Sequence, residues 1–82
     1  MSDEQLLHRV TCDPGILGGK PVVRGTRLNV ELILNLLGHG ATADEILREY
    51  QGLSLADLRA CQLFAAQSLA DATFLPLATD GA

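Results

Sequence analysis

Asn29-Val30-Glu31-Leu32-Ile33-Leu34-Asn35-Leu36-Leu37-Gly38-His39-Gly40 runs into Ala41-Thr42-Ala43-Asp44-Glu45-Ile46-Leu47-Arg48-Glu49-Tyr50-Gln51-Gly52, and that into Leu53-Ser54-Leu55-Ala56-Asp57-Leu58. These residues decide the fold, because each piece has its own helical period and its own start and stop signal. Val30, Ile33, Leu34 and Leu37 follow the i, i+3, i+4, i+7 stripe of an amphipathic helix. Asn29 is its N-cap, and Gly38 and Gly40 end it. Leu32 and Leu36 form a second stripe, so this helix is expected to be covered on more than one side. Thr42-Ala43-Asp44-Glu45 has capping-box spacing and opens a short second helix with Ala43, Ile46, Leu47 and Tyr50 as its apolar residues, closed at Gly52. Ser54-Leu55-Ala56-Asp57 repeats the box with Asp in place of Glu and opens a third helix running to about residue 71.

Two helices joined by a short glycine-containing turn make the helix-turn-helix outline, which any compact trihelical domain also produces. The third helix would be the reader. Of Leu55, Ala56, Asp57 and Arg59 in its first turns, only Arg59 carries the fork suited to guanine. Further along, Leu58, Cys61, Ala65 and Leu69 lie on one line with Ala60, Leu63 and Phe64 beside it, a two-sided apolar pattern. One side belongs to the core. The other is expected to meet a partner, with Phe64 among the contacts.

Ahead of the helices stands the run Asp13-Pro14-Gly15-Ile16-Leu17-Gly18-Gly19-Lys20-Pro21-Val22-Val23-Arg24-Gly25-Thr26-Arg27, with three of the six basic residues. A Walker-type loop needs a glycine and a hydroxyl where Pro14 and Pro21 stand, and Gly15, Gly18 and Gly19 lack the dinucleotide spacing. The glycines therefore read as turn residues. Met1 to Gln5 reads as a polar, frayed end. Leu6 to Cys12 reads as a strand, and Val22-Val23 as a second that pairs with it across the loop, with Pro21 tolerated at a strand start. A lone hairpin is marginal in water and must rest on the helices or on another subunit.

The expected fold is mainly α: a three-helix homeodomain-like helix-turn-helix domain over residues 29–72, preceded by a short β-hairpin or arm over 1–28 and followed by a tail over 73–82. Eighty-two residues with 48% hydrophobic content exceed what one small core can hide, which points to at least a dimer. The net charge of −4 opposes nucleic-acid binding by bulk electrostatics. It is unevenly spread: residues 1–30 carry four basic against three acidic side chains, and residues 31–82 carry two against seven. The arm is the basic end.

Cys12 and Cys61 accompany neither a signal-peptide pattern nor an apolar run long enough for a bilayer, so a reducing cytoplasm and no membrane association are expected. His8 and Cys12 would lie about 13 Å apart on a strand, too far to share an ion. Neither a metal nor a cofactor is expected. Ser54, Ser68 and the two histidines have no nucleophile-and-base spacing, and no carboxylate pair accompanies a glycine-rich cleft, so the chain reads as non-enzymatic.

The order Asp13-Pro14, Gly18-Gly19-Lys20-Pro21, Gly25-Thr26-Arg27, a leucine-rich helix ending in glycine, Glu45-Ile46-Leu47-xx-Tyr50 and Leu53-Ser54-xx-Asp57-Leu58 closely resembles the family catalogued as domain of unknown function 433. The family commonly has prolines at the positions held here by Asn29 and Gln51. Asn29 can cap a helix, and losing a loop proline costs only about 0.4–1 kcal/mol. The resemblance implies a small bacterial homeodomain-like helix-turn-helix protein of the VapB-like antitoxin kind, encoded beside a PIN-like ribonuclease toxin.

The reading taken is therefore an antitoxin that binds a PIN-like toxin and, as a transcriptional autoregulator, its own promoter DNA. Gly19, Lys20, Arg24, Thr26 and Arg27 would form the DNA-binding arm, with Arg59 as an auxiliary contact. Arg24 and Arg27 have an alternative in ion pairs with Glu31, Asp44 or Glu49. Phe64 with Phe74, Leu75 and Leu77 of the apolar tail would hold the protein partner. The alternative from a different class is a homo-oligomeric protein-interaction domain that touches no nucleic acid.

Overall fold

The chain opens with a helix where a frayed end was expected. In the computed structural model, which describes residues 1–70, α1 spans Asp3–Leu7. Ser2 Oγ accepts from the Gln5 amide at 3.2 Å and Gln5 Oε1 from the Ser2 amide at 3.0 Å, a reciprocal capping box. So short a helix does not stand alone in water. It lies along the last helix of the chain, with Leu6 against the core. The expected strand from Leu6 is thereby shortened to β1, Val10–Cys12.

A single 3-10 turn, Leu17–Gly19, leads into β2, Pro21–Val23. The strands pair antiparallel with Val10 opposite Val23, Thr11 opposite Val22 and Cys12 opposite Pro21. Pro21 occupies the strand start, as its missing N–H requires. Beyond β2 the chain reverses at once, so that Val22 also bridges Asn29. The three helices expected from the sequence follow: α2, Val30–Gly38; α3, Ala43–Glu49; and α4, Leu55–Ala70. The molecule is thus mainly helical, with four helices and one short two-stranded sheet among the described residues.

The expected N-caps at Asn29, Thr42 and Ser54 are present, whereas the second helix is capped at Tyr50 and Gly52 serves the turn beyond it. Asn29 Oδ1 accepts from the Leu32 amide at 2.6 Å, and Thr42 and Glu45 satisfy each other's backbone N–H at 3.1 and 2.8 Å. α2 ends in a Schellman motif: the Ala41 amide donates to Leu36 O at 2.9 Å and the Gly40 amide to Leu37 O at 3.1 Å. Gly40, at φ +100°, supplies the left-handed residue this motif needs.

Val10, Val23, Val30, Ile33, Ile46, Leu58, Ala60 and Cys61 form one buried cluster, so the sheet rests on the helices of its own chain. β2 packs on α2, β1 and α1 pack on α4, and α3 closes the other end against α2 and α4.

Candidate recognition surface

The arm proves to be built largely from backbone geometry. Gly15 N donates to Asp13 Oδ1 at 2.8 Å, closing an Asx turn at Asp13-Pro14-Gly15. Leu17, Gly18 and Gly19 are all left-handed, at φ +50°, +67° and +86°, and the Gly19 and Lys20 amides donate back to Ile16 O and Leu17 O. Those two N–H groups are therefore used within the loop itself and are not offered to an anion. Thr26 is half-buried in the next turn. Its hydroxyl donates to Val23 O at 2.8 Å and accepts from the Leu28 amide at 3.0 Å, which holds the reversal between β2 and α2.

The basic side chains divide accordingly. Arg24 Nε donates to His8 O at 2.8 Å, tying the end of β2 to the end of α1. Lys20 Nζ lies 3.5 Å from Glu31 Oε1, both side chains largely exposed, so this pair contributes about 0–1 kcal/mol. Lys20 thereby occupies one of the acidic partners considered for Arg24 and Arg27. Among the described residues, Arg27 and Arg59 are exposed and make no hydrogen bond or ion pair.

One ionic contact had no signal in the sequence. Arg9 Nη1 meets Asp57 Oδ1 at 3.1 Å across 48 residues of chain. Asp57 is 7% exposed, and its other oxygen accepts from the Ser54 amide at 2.9 Å and the Ser54 hydroxyl at 3.2 Å. The box at Ser54 and Asp57 was visible; its third donor was not. Behind it, burial and then the Asp57 carboxylate push the Cys61 thiol up to about 11, so it is an uncharged packing group and no nucleophile.

α4 offers two different sides. Leu55, Arg59, Gln62 and Ala66, at i, i+4, i+7 and i+11, are all exposed. Gln62 was overlooked, though its position three residues after Arg59 put it on this side. Phe64 lies on the other side, half-buried in a groove between α2 and α4. Phe74, Leu75 and Leu77 lie outside the described residues. The exposed surface of α3 carries Asp44, Glu45 and Glu49 against Arg48. Among the described residues no three His, Cys, Asp or Glu side chains gather as a metal site would require, and no helix is long and apolar enough to cross a membrane.

A short helical domain whose N-terminal two-stranded arm is pinned to its last helix is the class defined by this arrangement. Residues 10–65 match the family described as Protein of unknown function (DUF433), and the chain belongs to that family. A similar solved structure is a DUF433 member protein from Anabaena variabilis ATCC 29413, at 30% identity and a TM-score of 0.73. The similarity covers 82% of this chain and 66% of that one, so this chain spans just under two thirds of its length. No curated protein matches the chain.

Proposed function

We propose that the chain is a homeodomain-like helix-turn-helix protein acting as the antitoxin of a bacterial toxin–antitoxin pair. In this reading it is a cytoplasmic protein without catalytic activity that binds a PIN-like ribonuclease and, as an autoregulator, its own promoter. The observation that supports the DNA part is the outward side of α4. Arg59 and Gln62 stand there exposed and unengaged, and these are the side-chain types that read guanine and adenine bidentately. Arg27 adds an unpaired cation suited to a phosphate. Lys20, Arg24 and Thr26 are given supporting roles, since the Thr26 hydroxyl serves the turn, Lys20 faces Glu31, and Arg24 is held through Nε to His8 O with its terminal nitrogens left for solvent or a phosphate.

A second reading, a homo-oligomeric interaction domain without nucleic acid, is favoured by α3. In helix-turn-helix docking the first helix crosses the phosphate backbone, and here that helix exposes three carboxylates. Fluorescence anisotropy with the protein's own promoter duplex and a scrambled duplex, over a range of salt, separates the two. On the antitoxin reading the promoter is preferred, Arg59→Ala costs about 1–3 kcal/mol and relaxes base preference, and Arg27→Ala lowers the salt slope by about 1. Equal, weak binding to both duplexes leaves the interaction domain. The toxin part is tested separately: the full chain should inhibit the nuclease encoded next to it, and an uninhibited nuclease removes that part.

A further inference from the structure

α4 outruns the body it packs on. Its inner side is buried at Asp57, Leu58, Ala60 and Cys61, yet from Gln62 to Ala70 no residue is buried, although Phe64, Ala65 and Ser68 continue the same side at about 100° per residue. Between that side and α2 lies a groove of about 500 Å³, walled by Leu34, Phe64, Ala65 and Leu69. Leu69 is 57% exposed.

We propose that this groove seats a second copy of the chain, in a two-fold arrangement in which Leu69 of each copy fills the groove of the other. The inference does not depend on whether the chain binds DNA. It rests first on charge. Two copies of a chain at −4 repel one another, and in a two-fold interface every patch meets its own image. Residues 60–70 contain no charged side chain, and Glu31, the one charged residue of the groove wall among the described residues, is already paired with Lys20. This face can therefore be buried against itself without stranding a charge. Another sizeable hollow, bounded by Leu36, Ala41, Ile46 and Tyr50, carries Glu45 and Glu49, whose images would oppose them across the axis.

Packing points the same way. Among the described residues only nine apolar side chains are buried, a thin core for a domain whose helices carry so many leucines. Ala65, on the groove wall beside Phe64 and Leu69, keeps this side of α4 low enough for a second helix to approach closely. Phe64 and Leu34 already pack against the edge of the core, and burying Leu69 beside them in a dimer would extend that core towards the end of α4.

Sedimentation equilibrium of the full chain over a wide concentration range tests this. A monomer–dimer equilibrium is expected, strengthened by added salt as self-repulsion is screened. Leu69→Lys should weaken the association by about 100-fold or more, because both copies lose a buried leucine at once. Leu55→Lys, on the outward side of the same helix, should leave it unchanged; circular dichroism melts establish that both variants are folded. A wild-type chain that stays monomeric throughout would overturn the proposal and assign the groove to residues 71–82 or to a foreign partner. Equal dimerisation of wild type and Leu69→Lys, or equal weakening by the two lysine variants, would overturn it as well.

Discussion

Asp57 receives three donors in a nearly dry site: the Ser54 amide, the Ser54 hydroxyl and the Arg9 guanidinium. A carboxylate so placed must stay fully bonded, since a buried acceptor left without its partner costs about 1–3 kcal/mol. One turn further along α4, the Cys61 thiol experiences both the burial and the charge. Its folded value of about 11 stands above the ordinary value of 9.0, so folding favours the protonated thiol. Its contribution is complete below about pH 9, and it is lost as pH rises towards about 11, because the unfolded chain releases the proton first. Urea titrations at pH 8 and 11 should show roughly 2–3 kcal/mol of alkaline destabilisation from this residue, because the folded thiol holds its proton about a hundredfold more tightly than the unfolded one. Cys61→Ala should be less stable than wild type at pH 8 and should show a smaller alkaline loss. Equal alkaline losses in the two proteins would show that the thiol does not titrate in this way.

Among the elements, α2 depends most plainly on how it stops. Gly40 makes possible the two bonds that satisfy Leu36 O and Leu37 O, and any other residue there would be held left-handed at a cost of about 1–2 kcal/mol. Gly40→Ala should accordingly lower stability by about that amount, read as a shift of the urea midpoint with an unchanged slope. The space around Gly40 is open, so the loss would come from backbone conformation and not from a clash. Such ends are local, and for that reason α2, α3 and α4 and their caps at Asn29, Thr42 and Ser54 were legible in the sequence. α1 was missed although Ser2 and Gln5 have capping-box spacing, because its stability comes from α4, which lies far along the chain. The arm was legible as a shaped loop. That Thr26 serves a turn and Arg24 serves His8 O could not be read, since each bond depends on where the backbone passes.

At the scale of the whole molecule, a basic, turn-rich first third is fastened onto an acidic helical remainder. The fastening is the packing of β2 on α2 and of β1 on α4, the run of α1 along α4, and the half-buried ionic clasp from Arg9 to Asp57. Contacts this far apart in the chain carry the loop-closure cost that local helical contacts avoid, so they are expected to form late in folding. Arg9→Ala should therefore quicken unfolding while leaving the refolding rate nearly unchanged in stopped-flow chevrons. An equal slowing of refolding would place the clasp in the transition state instead. The clasp also sets an order of events during synthesis. A ribosome delivers Arg9 first and Asp57 48 residues later, so the Arg9 end of the nascent arm has no anchor until the start of α4 has emerged. Until then β2 has α2 to rest on but β1 and α1 lack the helix that covers them, and that end of the arm is exposed to proteases and to wrong partners.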